Sequence, residues 1–136
     1  MANEAVVVNL GSTGGEVYNF NVADGTGIEK GTICKLSGAR VAVASAADGD
    51  VFAGIAANEK VASDGSTKLG LYTKGIFDLK TDAGGCSYGN LLKISGANLV
   101  GKAAADGAGT TTSGQCIVGV ALEDASADEV VQVLIG

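Results

Sequence analysis

A chain of 136 residues with 46% hydrophobic content is long enough to bury one domain core and too apolar to remain disordered. Its formal charge is −6, from nine basic and fifteen acidic side chains, and it has no basic run. This balance argues against binding nucleic acid through phosphate neutralisation and against adsorption to an anionic membrane. The absence of His rules out a Cys–His nucleophile pair within the chain and disfavours a zinc site of the usual kind.

The chain combines 22 Gly with no Pro and no Trp. Glycine at this level without a collagen-like period indicates many tight turns between short strands. With only three Phe and three Tyr, the core must be built mainly from Val, Ile, Leu and Ala. Such residues fill thin β-barrels and sandwiches.

Residues 1–15 form a leader that ends in a glycine-rich stretch. Its apolar run consists of Val6, Val7, Val8, Asn9 and Leu10. This pattern fits either a separable extended arm or an ordinary first strand. The first four residues contain no basic side chain, and the apolar run is too short for a signal peptide or a membrane span. We therefore expect the protein to be made and folded in a cytoplasm.

From residue 17 onwards, short apolar segments alternate with Gly or Asp-Gly turns. The first segment alternates apolar and polar side chains, with Tyr18, Phe20 and Val22 on one face, which is the period of a half-buried strand. Further strands are predicted at residues 32–36, 40–44, 51–56, 68–73, 76–79, 91–94, 98–102, 116–122 and 129–135. Strands of this length and spacing are typical of an all-β barrel or sandwich.

An internal repeat organises the chain. Residues 31–49 match residues 89–107 at nine of nineteen positions, with a constant offset of 58. After a gap, the match continues from residues 52–56 to 117–121 and from residues 69–72 to 131–134. A match over several predicted strands indicates that one supersecondary unit occurs twice.

Two units are too few for a solenoid, so they predict a closed or layered β-structure. We predict an all-β fold, a small β-barrel or sandwich built from two pseudo-repeated units, with an extended N-terminal arm. The predicted division is an arm over residues 1–15 and a single β-barrel domain over residues 16–136. The pseudo-repeats then cover about residues 28–79 and 86–136.

The three cysteines, Cys34, Cys86 and Cys116, are odd in number and widely spaced, so they form no disulfide framework. In the repeat alignment they lie opposite Leu92, Ile28 and Val51, respectively. All three therefore occupy apolar positions, and we expect buried, reduced thiols that act as small hydrophobic side chains.

The sequence contains no recognisable catalytic, cofactor or metal motif. Its acidic residues are scattered beside Gly or at strand ends, where solvated turn residues are expected. Residues 48–50 and 124–129 could supply weak calcium ligands, but their spacing does not match a calcium-binding loop. The Gly-Gly pairs at 14–15 and 84–85 lack the Lys-Ser/Thr of a phosphate loop. We expect no enzyme activity, no cofactor and no metal.

Several segments nevertheless resemble one family. They are residues 31–36, 51–56, 74–79, 118–122 and 130–135. Together they resemble the capsid decoration (cement, or head-stabilising) family of tailed phages, similar in kind to the head decoration protein of phage lambda. The resemblance covers roughly residues 17–136.

The resemblance implies a small β-barrel protein with an N-terminal arm. Members of this family bind the outside of the expanded capsid at three-fold or quasi-three-fold points, commonly as trimers, and hold neighbouring capsid subunits together. It therefore implies the major capsid protein as partner, a homotrimer on the capsid, assembly in the host cytoplasm and location on the virion exterior. The expected capsid-contact residues lie in the arm and first strand: Val6, Val7, Val8, Asn9, Leu10, Tyr18 and Phe20.

Two alternatives stay open at this stage. The first is another virion β-module, such as a tail, fibre or adhesin domain, with carbohydrate as a candidate ligand; the low aromatic content counts against a sugar platform. The second is a small hydrolase that uses two carboxylates, which would require them to meet in a concave acidic cleft.

Overall fold

The computed structural model describes residues 3–11, 17–103 and 117–135. These residues form eleven β-strands: β1 (Val6–Asn9), β2 (Val17–Asn21), β3 (Ile33–Gly38), β4 (Val41–Ala44), β5 (Phe52–Ala56), β6 (Lys68–Tyr72), β7 (Gly75–Thr81), β8 (Leu91–Gly96), β9 (Leu99–Lys102), β10 (Ile117–Ala121) and β11 (Val130–Ile135). In the same residues, no helix is long and apolar enough to cross a bilayer.

The strands form two closed five-stranded barrels in tandem. The first barrel has the order β2-β4-β3-β5-β6, and an antiparallel pairing of β6 with β2 closes it. The second has the order β7-β11-β10-β8-β9, and a parallel pairing of β9 with β7 closes it. Strand β1 is added to the outside of β7. The predicted all-β barrel fold is confirmed, and each repeated unit closes into a barrel of its own.

The two barrels have the same strand pairings. In each, the first strand runs parallel to the third and antiparallel to the fifth. The turn between the second and third strands contains a left-handed residue at the same place, Arg40 (φ 55°) in the first barrel and Asn98 (φ 53°) in the second. These two residues are 58 positions apart, which is the offset found in the sequence.

The boundary between the units differs from the sequence prediction. The predicted strand at residues 76–79 lies at the end of the first predicted unit, but in the structure it belongs to β7, the first strand of the second barrel. The equivalent strand of the first barrel is β2, and these two strands share little sequence, so the alignment started only at β3. The division into an arm over residues 1–15 and one domain over residues 16–136 remains a prediction.

Each barrel has its own core, and the two cores differ in side-chain size. The first contains several small side chains, Cys34, Ala42, Ala53 and Ala56, together with the aliphatic residues Val22, Ile28, Leu69 and Leu71. The second contains larger side chains such as Phe77, Leu79 and Ile94, and it also includes Ile33 and Ile55 from the first barrel. The barrels are therefore packed against each other through a shared apolar cluster.

Of the two described cysteines, Cys34 is buried as the repeat predicts, whereas Cys86 is only half-buried. Cys34 is fully buried, and burial raises the pKa of its thiol to about 12. Cys86 is half-buried, and burial also raises its thiol pKa. Cys116 lies outside the described residues. Thiols with raised pKa values are poor nucleophiles at neutral pH, as expected for core side chains.

Candidate interaction surfaces

The junction between the barrels shows how one barrel end is covered. Ile33, Ile55 and Tyr72 are lateral neighbours on β3, β5 and β6. Ile33 and Ile55 are buried with the second barrel's core, and Tyr72 packs against it. The Tyr72 ring lies 5.5 Å from that of Phe77 on β7. An apolar row from the outside of the first barrel thus covers one end of the second.

Polar contacts fix the geometry of this junction. The side-chain oxygen of Asn98 accepts a hydrogen bond from the Ile33 backbone N–H at 2.9 Å. Ser45 in the first barrel donates through Oγ to the Gly96 carbonyl and accepts from the Asn98 N–H, both at 3.2 Å. Asp48 forms an ion pair with Lys93 at 2.7 Å.

Strand β1 touches both barrels. It pairs antiparallel with β7, with Val6 opposite Asp78, Asn9 opposite Ile76 and a register shift between Val7 and Asn9. Immediately before it, the Ala5 N–H donates to the Gly31 carbonyl in the first barrel at 2.7 Å. Of the two readings of the leader, the structure therefore shows an ordered first strand for residues 6–9.

The outer surface of β1 is apolar and uncharged. The exposed fractions of Val6, Val7 and Val8 are 59%, 40% and 42%, respectively. Among the described strands, β1 pairs only with β7, so its other edge is open. Natural edge strands are commonly protected by Lys, Pro, bulges or covering loops. Strand β1 has one such feature, the register shift between Val7 and Asn9, but no charged residue lies among its valines. The edge beside these valines is therefore a candidate for pairing.

The remaining predicted contact residues fall into two groups. Asn9 is exposed and accepts the Gly11 N–H at 2.8 Å, whereas Leu10 is half-buried against the second core. Tyr18 and Phe20 lie on β2 in the first barrel. Tyr18 is 50% exposed, but Phe20 packs against the first core, with the Arg40 guanidinium 5.9 Å above its ring centre. The structure thus places the seven residues on two barrels.

The carboxylates with possible metal or catalytic roles have structural partners. Asp50 accepts the backbone N–H groups of Ala46 and Ala47 at 2.9 and 2.8 Å, and Asp124 accepts that of Tyr88 at 2.9 Å. The described residues contain no group of three or more His, Cys, Asp or Glu side chains that could hold a metal ion.

Among the described Lys and Arg residues, only Lys60 is buried, and its ammonium group has several hydrogen-bond acceptors. Its ammonium group donates to Asp64 at 2.7 Å, to the Asp24 carboxylate at 3.2 Å and to two backbone carbonyls. Burial opposes the charge, but the hydrogen bonds that Lys60 donates to Asp64 and Asp24 outweigh it and raise the Lys60 pKa. This arrangement locks two loops of the first barrel together.

Sequence reasoning missed a second apolar surface, on the outside of the second barrel. Leu91, Val120 and Leu134 are lateral neighbours on β8, β10 and β11. Leu91 is 51% and Leu134 is 47% exposed. The signal was available in the repeat, because Leu91 is aligned with Ile33, a residue of the barrel junction.

No protein-family model matches this sequence, and no curated protein matches it. Among solved structures, the chain is similar to the N base of head fiber gp8.5 of bacteriophage phi29. The TM-score is 0.53 with 13% sequence identity, and the similarity covers 89% of this chain and 93% of that one. The two chains therefore share a fold over nearly their whole lengths.

Proposed function

We propose that this chain is a structural virion protein that binds the outside of a phage capsid and stabilises contacts between major capsid subunits. The observation that carries the proposal is the exposed, uncharged edge of β1 on a scaffold of two closed barrels. The shared fold with a phage head fiber base and the resemblance to the capsid decoration family both support this assignment.

The edge of β1 suits β-augmentation, in which an extended segment of a partner adds a strand to an open sheet. Backbone hydrogen bonds would supply affinity, and the side chains of Val6 and Val8 would rest against apolar side chains of the capsid subunit. Each such contact is small. A shell with many copies needs only modest affinity at each position, because contacts from linked subunits add through multivalency. The proposed unit on the capsid is a homotrimer, assembled in the host cytoplasm and located on the virion exterior.

The proposal includes no enzymatic step and no cofactor. The two thiols in the described residues have raised pKa values, and carboxylates such as Asp50, Asp64 and Asp124 are engaged in turns and ion pairs. A clamp on a shell needs rigidity and surface complementarity rather than a perturbed general base.

A co-sedimentation assay tests this function. Purified protein is mixed with expanded and with unexpanded shells of its own phage, and the bound fraction is measured against concentration. We expect saturation at a fixed number of copies per capsomer on expanded shells, with increased resistance of the shell to heat. Absence of binding to both forms would contradict the proposal.

The alternative of a fibre or adhesin module has one observation in its favour, because the similar solved structure is the base of a head fiber. The same preparation distinguishes the two roles. A fibre base would bind shells without increasing their heat resistance, and an adhesin would bind a glycan array without binding shells.

A further inference from the structure

The internal repeat relates the buried row of the first barrel to an exposed row of the second. Ile33 pairs with Ile55, and Ile55 with Tyr72, across β3, β5 and β6. At the equivalent positions of the second barrel, Leu91, Val120 and Leu134 are paired in the same way across β8, β10 and β11. We call this second set the donor row.

The two rows have the same apolar character but differ in burial at two of their three positions, since Tyr72 and Val120 are both half-buried. Ile33 and Ile55 are 0% and 1% exposed because the second barrel covers them. Leu91 and Leu134 are 51% and 47% exposed. Exposed apolar patches on a folded surface commonly mark interaction sites, and this row repeats an interface that the chain already uses.

The surface that receives the first row is also repeated. At the covered end of the second barrel, Phe77, Ile94 and Asn98 are all 0% exposed. The equivalent positions in the first barrel are Tyr18, Leu36 and Arg40, which we call the receiving face. Leu36 and Arg40 are aligned with Ile94 and Asn98 by the offset of 58. Tyr18 is equivalent to Phe77 because Tyr18 lies opposite Leu71 on β6, as Phe77 lies opposite Val133 on β11.

The receiving face is partly exposed. Tyr18 is 50% exposed, Leu36 is 37% exposed and Arg40 is also exposed. Within the described residues, one chain therefore has a partly exposed donor row on its second barrel and a partly exposed receiving face on its first. Within the chain, the corresponding surfaces bind each other.

We propose that copies of this chain associate head to tail, with the donor row of one copy (Leu91, Val120 and Leu134) seated on the receiving face of the next (Tyr18, Leu36 and Arg40). Such a contact is heterologous, so it generates a closed ring or an open chain of copies. The inference adds an interface to the self-association in the proposed function, but it does not depend on capsid binding.

The contact between copies should be weaker than the junction within the chain. Asn98 accepts the Ile33 N–H inside the junction, whereas Arg40, at the equivalent position, has only donors. The contact therefore lacks the central hydrogen bond and rests on apolar burial. Its strength should consequently depend strongly on Leu134 and Leu36, and the association should be reversible.

Sedimentation velocity of the full chain without capsids tests the proposal. We expect the wild-type chain to form oligomers as its concentration rises. Leu134→Lys places a charge in the donor row, and Leu36→Lys places one on the receiving face; each should remain monomeric. Val130→Lys is the matched control, because Val130 is on the same strand as Leu134, is 57% exposed and lies outside both surfaces.

Mixing the two monomeric variants gives the sharper result. Leu134→Lys keeps an intact receiving face and Leu36→Lys an intact donor row, so a mixture should form a dimer with one working contact. Leu91→Lys and Tyr18→Lys provide a second pair if either variant has a lowered thermal midpoint. A wild-type chain that stays monomeric at millimolar concentration, or variants that assemble like wild type, would overturn the proposal. Because no capsid is present, this failure is distinct from failure to bind shells.

Discussion

The Asn98 side-chain oxygen lies 2.9 Å from the Ile33 backbone nitrogen, and this hydrogen bond joins the second barrel to the first. Asn98 is fully buried and has a left-handed backbone (φ 53°). Asn is one of the few residues with a side chain that tolerates this conformation. Asn98 therefore serves two purposes: its backbone adopts the left-handed conformation of the turn, and its side chain forms the hydrogen bond between the barrels.

Replacing Asn98 should destabilise the chain. In Asn98→Gly the left-handed turn is retained, but the Ile33 N–H loses its partner in a buried place, at an expected cost of about 1–3 kcal/mol in the free energy of unfolding. Urea denaturation measures this loss. Asn98→Ala should be less stable than Asn98→Gly, because it adds backbone strain. Wild-type stability of Asn98→Gly would show that the bond contributes nothing.

Two equivalent glycines allow close approach between strands. A Cβ on Gly54 would lie 2.7 Å from the Tyr72 carbonyl oxygen, and one on Gly119 would collide with the Leu134 carbonyl oxygen. We expect Gly54→Ala and Gly119→Ala each to cost about 1–3 kcal/mol, because the backbone must move.

Gly25 is the matched control for these substitutions. A Cβ there meets no atom within 4 Å. Gly25→Ala should change the free energy of unfolding by no more than about 0.5 kcal/mol. Equal thermal midpoints for Gly25→Ala and Gly54→Ala would contradict the steric argument.

The buried thiol of Cys34 predicts a loss of stability at high pH. Its pKa rises from 9.0 to about 12 on folding. Above the lower value only the unfolded chain releases this proton, so the free energy of unfolding falls as pH increases. The expected slope is about 1.4 kcal/mol per pH unit, until the folded thiol titrates as well.

The comparison variant is Cys34→Ala. It removes this thiol and retains all the other side chains that titrate at high pH, namely the Lys, the Tyr and the remaining Cys residues. Its free energy of unfolding, measured by urea denaturation between pH 8 and pH 10.5, should lack this added slope, although its neutral-pH value is lowered by the cavity. Parallel profiles for the two chains would show that Cys34 is not the titrating group.

The exposed valines of β1 should carry capsid binding. Val6→Lys and Val8→Lys alter side chains that are 59% and 42% exposed, so the fold should be retained while the apolar edge is lost. We expect at least about a tenfold weaker affinity for expanded shells, equivalent to the loss of 1.4 kcal/mol. Val61→Lys, with the same 59% exposure in the first barrel, should bind as wild type. Unchanged binding by both β1 variants would rule out this edge.

The sequence contained enough information to predict the strands and the repeat. Leu36 and Ile94 are aligned at an offset of 58, and the strands that contain them, β3 and β8, are equivalent in the two barrels. The sequence did not predict that each unit closes. Closure also requires short parallel pairings, such as that of β2 with β4, which consists of the single pair Asn21 and Val41. A pairing this short produces no recognisable pattern in the sequence.

The sequence also did not predict which apolar side chains on the outside of a barrel would be buried. Ile33 and Leu91 are equivalent apolar residues, yet one is 0% and the other 51% exposed. The difference arises because the second barrel packs against Ile33, whereas Leu91 lies on the outside of the second barrel. A hydrophobic pattern indicates which side chains favour burial, but it does not indicate whether a partner surface is present.

The most direct test of the central claim is a cryo-electron microscopy reconstruction of expanded shells saturated with this protein. We expect density for the two barrels at fixed points on the outer surface, with β1 in contact with a major capsid subunit. Bare shells, or density confined to the tail, would contradict the proposed capsid-binding role.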